Sequence, residues 1–148
     1  MKAFLGRTLG ALFAALICAA SYISYEYFRP HVLYGELGGI LDDHYKTYTE
    51  YRQNGDRVVI DGMCMSACTM VLGLIPRERL CATEHAMFGF HSATWGNQYS
   101  ADGTAFIWKT YPLKLQEILG VHGWTGGPHP HFIFLNRDDL NGLVRACE

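Results

Sequence analysis

The sequence predicts one small α/β domain with a mostly parallel sheet flanked by helices, and three observations support this fold class. Short β-branched or aromatic runs, which are typical of strands, alternate with longer stretches of helical spacing. This alternation is typical of βαβ units, whose strands are parallel. The composition is that of a globular protein with a core, because 49% of the 148 residues are hydrophobic and 18% are charged.

The predicted elements follow one another along the chain with short connections. Strands are predicted at HVLY (31–34), RVVIDG (57–62), RLCAT (79–83), AMFGFH (86–91) and HFIFL (131–135). Helices are predicted at ILDDHYKTYTEYRQ (40–53), SACTMVLGL (66–74), TAFIWKTYPLKLQEIL (104–119) and RDDLNGLVRAC (137–147). GELGG (35–39) and HSATWGNQYSADG (91–103) are expected to be loops, and Asn54-Gly55 is a typical helix stop.

The first 21 residues differ from the rest and predict an export signal, which leaves 22–148 as the folded domain. Lys2 and Arg7 precede the apolar stretch TLGALFAALICAA, which ends in small residues. We therefore expect a periplasmic or secreted protein. The alternative is an uncleaved anchor in the inner membrane, although the apolar stretch from Thr8 to Ile23 is shorter than the roughly 20 residues of a membrane span. A net charge of −2 gives no electrostatic case for nucleic-acid binding.

Export changes the interpretation of the cysteines. Apart from Cys18, four remain: Cys64, Cys68, Cys81 and Cys147. An even number in an oxidising compartment predicts two disulfides, with three pairings open. The alternative is a zinc site, but the C-x3-C spacing has no matching second pair. His129 and His131 alternate on a predicted strand and lack an evident third ligand, so no metal or other cofactor is predicted.

Ser66 and His91 are the residues with the strongest catalytic pattern. Ser66 lies between a predicted strand and a predicted helix, where free N–H groups and the positive end of the helix dipole stabilise an oxyanion. His91 ends a later strand, so a parallel neighbour would bring its ring to the same sheet edge as a base for the serine. The structural alternative is that Ser66 is only a helix N-cap.

The motifs GELGG, VVIDGMCMSACTMVLG and ERLCATEHAMFGFHSA together resemble the Clp protease and crotonase superfamily. Within it they are similar to exported bacterial proteins that carry S-A-C-T and a later G-F-H. The resemblance covers roughly residues 31–147. It implies that Ser66 is the nucleophile of a Clp-type serine peptidase and that His91 is its general base. It further implies an oxyanion hole made by the N–H groups of Gly39, in the Gly38-Gly39 turn, and Ala67.

The third catalytic residue implied by the resemblance is an acid after a late strand, and the two aspartates that fit are Asp139 and its alternative Asp138. Either is equally suited to cap the last predicted helix. A disulfide from Cys64 or Cys68, with Cys81 as one partner, would fix the segment that presents Ser66. Cys147 would then tie the last helix to the body.

The sequence therefore predicts an exported, peptidase-like serine hydrolase that acts on a peptide or acyl substrate. The alternative is a non-catalytic binding protein on the same scaffold. Glu36-Leu37 stands where the superfamily has a proline, and no segment resembles the helix that builds Clp rings. The sequence is also shorter than typical Clp or crotonase domains. Its length and the absence of a ring-building helix argue against a ring peptidase and against acyl-CoA binding. A homo-oligomer of another kind stays open.

Overall fold

The computed structural model describes residues 17–18, 30–140 and 142–148 of the chain. The predicted export signal lies outside the described residues except for Ile17 and Cys18. Within the described ranges, no helix has the length and apolar character needed to cross a membrane.

Two sheets built from short strands form the centre of the domain. The first has four parallel strands in the order β1 (His31–Leu33), β2 (Val58–Ile60), β4 (Leu80–Ala82) and β9 (Arg145–Ala146). The second has β3 (Met63–Met65), β5 (Met87–Phe90) and β8 (Ile133–Asn136). β3 and β5 are parallel, and β8 is antiparallel to β5. The predicted α/β class with a mostly parallel sheet is therefore confirmed.

Helices connect and cover these strands. They are α1 (Leu41–Asn54), a 3₁₀ helix (Ser66–Met70) that continues into α2 (Val71–Leu74), a second 3₁₀ helix (Arg77–Arg79), α3 (Ala101–Thr110) and α4 (Leu113–Val121). α1 ends as predicted, because Gly55 adopts the left-handed conformation (φ 81°) and its N–H bonds back to the last turn. Their apolar faces enclose a core whose largest buried side chains include Met70, Phe88, Phe90, Leu115, Leu119 and Trp124.

The single helix predicted over residues 104–119 is wrong, because the chain forms two helices there. Pro112 has no N–H to donate, and a residue before proline is disfavoured in the helical region. Tyr111 accordingly is extended (φ −76°, ψ 131°) and ends α3. The Gln116 side chain donates to the carbonyls of Trp108 and Tyr111, which satisfies acceptors at the end of α3. Proline thus breaks the helix instead of bending it.

The closing helix predicted over 137–147 is also wrong. The Asn136 side chain accepts from the N–H groups of Asp138 and Asp139, which forms a turn directly after β8. The chain then extends as β9 beside β4, with Arg145 opposite Cys81. Leu140, Leu143 and Val144 have helical spacing, but they are buried in the segment of turns that leads into β9.

The predicted loop over 91–103 contains a small hairpin. β6 (Thr94–Trp95) and β7 (Gln98–Tyr99) pair antiparallel, and all four of their residues are exposed. Gly96 and Asn97 make the two-residue connection, with Gly96 at φ 59°. The hairpin carries Trp95, which is 86% exposed.

The four predicted cysteines form two disulfides, Cys64–Cys68 and Cys81–Cys147. The expected link from Cys64 or Cys68 to Cys81 is wrong. β2 and β4 pair in parallel, so Cys81 lies beside Val59 in the first sheet, whereas Cys64 belongs to the second sheet. Cys147 follows β9 and therefore meets Cys81 on β4; it ties a strand to the body, not the predicted last helix. Two disulfides are compatible with an oxidising environment.

Candidate functional site

Parallel pairing of β3 and β5 brings Ser66 and His91 to one edge of the second sheet. Met65, the last residue of β3, pairs with Gly89 of β5. Ser66 follows Met65 directly, and His91 follows Phe90 at the end of β5. Both side chains therefore leave the carboxyl ends of adjacent parallel strands, which is where open α/β sheets bind ligands.

Ser66, His91 and Gly39 all border one cleft of about 540 Å³. Most of its wall is apolar and comes from Leu37, Ile40, Leu41, Trp95, Phe106 and Phe132. Ser66 and His91 are each partly exposed, so both are accessible from the cleft. Among the described hydrogen bonds, none joins the Ser66 hydroxyl to the His91 ring. The cleft is thus a solvent-accessible apolar pocket with a hydroxyl and an imidazole on its wall.

Ser66 has an unusual backbone conformation. It is the one residue other than glycine in the described ranges with a positive φ, 52°. An L-residue in this region costs about 1–2 kcal/mol, so its surroundings must hold it there. A strained serine on a sharp strand-to-helix turn is the arrangement that exposes a nucleophile in many hydrolases.

Two backbone segments lie beside Ser66, the start of the 3₁₀ helix and the Gly38-Gly39 turn. Ala67 lies in the first turn of the 3₁₀ helix, where N–H groups have no partner within the helix. The Gly38-Gly39 turn passes close on the other side, because a β-carbon at Gly38 would lie 2.7 Å from the Ser66 β-carbon. The Gly39 N–H has no backbone acceptor in the described part of the chain. The Ala67 N–H therefore lies next to Ser66 without a partner in the 3₁₀ helix, and the Gly39 N–H belongs to a turn that approaches Ser66 through Gly38.

The environment of His91 favours its neutral form. Its ring packs on Phe132 with centroids 4.2 Å apart. Burial lowers the pKa of His91, and the like charge of protonated His129 lowers that pKa further. At neutral pH the ring is therefore uncharged and has a nitrogen lone pair that can accept a proton.

The structure does not bring Asp138 or Asp139 to His91. Asn136 at the end of β8 pairs with Met87 at the start of β5, whereas His91 follows the far end of β5. About 13 Å of strand separates these two levels. Asp139 instead accepts a hydrogen bond from the Asn136 N–H (2.8 Å), and both aspartates are exposed. The two aspartates help to close the turn after β8, which is similar to the helix-capping role that the sequence also suggested.

The cleft includes residues that the sequence did not single out. Asp42, in the first turn of α1, carries the one carboxylate among the described residues that border it. Phe106 and Phe132 form part of the wall, and Trp95 extends from the hairpin over the rim. The sequence shows that aromatic residues are present in these segments, but only the fold shows which of them face the cleft.

No group of three or more histidine, cysteine or acidic side chains within the described ranges is arranged to hold a metal ion. His129 and His131 are the pair of candidate metal ligands in the sequence. In the structure the His129 Nδ1–H donates to the His131 carbonyl (2.8 Å). That contact uses one ring nitrogen of His129 within the loop.

Comparisons with known proteins identify the fold. No family profile matches the chain, and no curated protein matches it in sequence. Solved structures do match it. A peptidase from Plasmodium falciparum superimposes with a TM-score of 0.54 at 11% identity, covering 91% of this chain and 87% of that one. A mutant form of ClpP1 from Listeria monocytogenes superimposes with a TM-score of 0.51 at 14% identity, covering 80% and 74%. The chain therefore has a ClpP-like fold.

Proposed function

We propose that this chain is a serine hydrolase of the peptidase type, with Ser66 as nucleophile and His91 as general base. The observation that carries the proposal is the shared cleft, which Ser66, His91 and Gly39 all border. The ClpP-like scaffold adds support, because the structural neighbours include a peptidase and ClpP1.

The reaction begins when a substrate carbonyl enters the cleft beside Ser66. The Ser66 hydroxyl attacks the carbonyl carbon while His91 takes its proton. The carbonyl oxygen becomes an oxyanion, and the N–H groups of Ala67 and Gly39 donate to it. His91 then returns the proton to the leaving amine or alcohol, which departs and leaves an acyl-enzyme. Water attacks this ester with His91 again as base, which releases the acid and restores Ser66.

The geometry of His91 differs from that of a triad with a carboxylate. In this proposal the ring is positioned by packing on Phe132, without an aspartate partner. The Ser66–His91 hydrogen bond forms when substrate closes the cleft, since such bonds are often long in the free state. A lowered His91 pKa suits this role, because it keeps the base neutral over a wider pH range.

The substrate class and the location belong to the same proposal. The apolar wall of the cleft suits a peptide or acyl group with bulky apolar parts beside the scissile bond. Export to the periplasm or outside the cell agrees with the two disulfides. The reaction needs no cofactor.

The test is labelling of the purified protein with a fluorophosphonate probe, which reacts with activated serines. We expect the wild type to label, the modified peptide to contain Ser66 by mass spectrometry, and Ser66→Ala not to label. Heat-denatured wild type controls for non-specific reaction. Equal labelling of wild type and Ser66→Ala would refute the nucleophile.

One observation favours a second candidate, a binding protein on the same scaffold. In the described part of the chain no carboxylate is hydrogen-bonded to His91, and a pair without an orienting acid is a weaker catalyst. In that case the cleft binds an apolar peptide without cleaving it. Absent labelling together with saturable binding of a fluorescent apolar peptide, equal in wild type and Ser66→Ala, would favour this candidate.

A further inference from the structure

The conformation of Ser66 is the starting point, because an isolated chain does not favour it. Its φ of 52° lies in the left-handed region, which residues other than glycine rarely occupy. Ser66 is also at the junction of a strand and a 3₁₀ helix, where a change of φ would reorient its side chain and the Ala67 N–H together. Something in the fold must therefore hold this residue.

The Cys64–Cys68 disulfide encloses Ser66 symmetrically, with one residue between Ser66 and each cysteine. The Cα atoms of the two cysteines are 5.3 Å apart, so the intervening chain must turn tightly. Both cysteines are fully buried. Cys64 is held in β3 by pairing with Phe88 of β5, and Cys68 lies in the 3₁₀ helix. The covalent link thus connects a fixed strand to the helix that begins at Ser66.

Two linked hydrogen bonds, here called the relay, hold the helix side of the same turn. The Thr69 hydroxyl donates to the Ser66 carbonyl at 2.6 Å. Since that proton is used, the Tyr111 hydroxyl donates to Thr69 Oγ1, also at 2.6 Å. This relay holds the Ser66 carbonyl from within the helix, whereas the disulfide sets the distance between the strand and the helix. These hydrogen bonds alone do not prevent the end of β3 from moving away from the 3₁₀ helix.

We propose that the Cys64–Cys68 disulfide is a positioning element of the site, and that Ser66 reacts at its full rate only when this disulfide is formed. The inference rests on the proposed function of Ser66. With the bond broken, the turn relaxes and Ser66 leaves the left-handed region, which moves its hydroxyl and the Ala67 N–H out of alignment with His91. The site would then react about 10-fold more slowly in a reducing compartment and regain its full rate after oxidation.

The chemistry of the switch is a two-electron exchange with a dithiol. The reductant supplies two electrons and two protons, the sulfur–sulfur bond breaks, Cys64 and Cys68 become thiols, and the dithiol becomes a disulfide. Both cysteines are buried, so reduction requires a local opening of the turn. Cys81 and Cys147 are partly exposed and should be reduced first.

Two double variants separate the positioning role from general stabilisation. In Cys64→Ala/Cys68→Ala we expect the maximal rate of fluorophosphonate labelling to fall about 10-fold, the factor by which the left-handed state is disfavoured. The probe concentration at half-maximal rate should stay unchanged. The matched control is Cys81→Ala/Cys147→Ala, which should label at the wild-type rate under conditions where both variants are folded. Equal rates in the two variants would overturn the inference.

The control variant also allows a reversible test if the first variant does not fold. Within residues 30–140 and 142–148 it retains one disulfide, Cys64–Cys68. Treatment with dithiothreitol should abolish most of its labelling, and removal of the reductant in air should restore the labelling. Undiminished labelling after complete reduction, verified by mass, would contradict the proposal.

A spectroscopic measurement distinguishes failure of this inference from failure of the proposed function. In protein labelled with ¹³C-serine, the Ser66 Cα and Cβ signals depend on φ and are assigned by their loss in Ser66→Ala. We expect these signals to shift between the oxidised and reduced control variant. If they shift while the wild type does not label, the proposed function fails and the positioning role stands. If they do not move, the positioning role is wrong even when Ser66 is reactive.

Discussion

His91 shows how the surroundings of one residue decide its chemistry. The ring is half-buried between Phe132 and the loop that carries His129. The Ser92 N–H donates to the His129 carbonyl, and the Ser92 hydroxyl accepts from the His129 N–H. This pair of bonds fixes His129 beside the strand end from which His91 projects. A ring held this way has a nitrogen that can accept a proton, and no carboxylate in the described part of the chain is hydrogen-bonded to it.

Removal of the His91 ring should affect labelling much more than folding. We expect His91→Ala to slow fluorophosphonate labelling by about 10²–10⁴-fold, because the Ser66 hydroxyl loses its proton acceptor. The matched control is His85→Ala, since His85 is exposed and lies before the opposite end of β5. A labelling rate in His91→Ala within twofold of His85→Ala would remove His91 as the base.

The pH dependence of labelling should report the same ring. The neutral form accepts the proton, so labelling rises as pH increases through the His91 pKa and is level above it. Burial and His129 lower that pKa from its ordinary value of 6.5, so the half-maximal pH should lie below 6.5. His129→Gln removes the like charge and should move the half-maximal pH upward. A rate that is half-maximal above 6.5 in the wild type would contradict this assignment.

Among the elements around the site, the sequence predicted β5 and the start of a helix at Ser66 but not β3. β5 contains the aromatic residues typical of strands, whereas β3 (Met-Cys-Met) has no β-branched or aromatic residue and is a strand because it pairs with β5. The end of α1 at Gly55 likewise follows from local preference. The closing helix was wrong because the same apolar spacing is also buried by turns that lead into a strand, and the edge of β4 is where that strand, β9, pairs.

Close packing between α2 and the end of α3 gives a test at this scale. A β-carbon at Gly73 would lie 1.7 Å from the Thr110 carbonyl oxygen, so the helices would have to separate. We expect Gly73→Ala to lower the free energy of unfolding by about 3 kcal/mol. The control is Gly120→Ala in α4, where nothing lies within 4 Å and alanine should add up to about 1 kcal/mol. Urea denaturation of both variants measures the difference, and similar unfolding midpoints would show that the contact is absent.

At the scale of the whole molecule, the two disulfides have different tasks. Cys81–Cys147 joins positions 66 residues apart and anchors β9 to the sheet, whereas Cys64–Cys68 spans four. Since a cross-link stabilises mainly by restricting the unfolded chain, the longer loop contributes more. The Cys81–Cys147 disulfide is thus important for the stability of the domain, and the Cys64–Cys68 disulfide for the shape of the Ser66 turn.

The two pairs of cysteines should therefore differ in their effect on unfolding. We expect Cys81→Ala/Cys147→Ala to lose about 4 kcal/mol and Cys64→Ala/Cys68→Ala about 2 kcal/mol, from the chain entropy of the two loops. Equilibrium unfolding in urea, followed by tryptophan fluorescence, gives both values. A larger loss in the Cys64 and Cys68 variant would mean that this disulfide supports the core more than the turn.

The ClpP-like fold extends over most of the chain, although identity to the matched structures is only 11% and 14%. At this identity the likeness establishes the fold and not the side chains of the site. The late aspartates illustrate the point, since Asp139 follows a strand as the resemblance implied yet lies at the wrong end of β5. The antiparallel direction of β8 causes this difference.

The α/β class, a serine at the start of a helix and a histidine at the end of a later strand were predictable from the residues alone, because they depend on local preferences and on the period of apolar residues. The cysteine pairing, the strand β3, the direction of β8, the course of the last segment and the aromatic residues that face the cleft depended on the fold. Each of these depends on which distant segments become neighbours. Spacing along a chain does not carry that information, since one apolar pattern can be buried in more than one way.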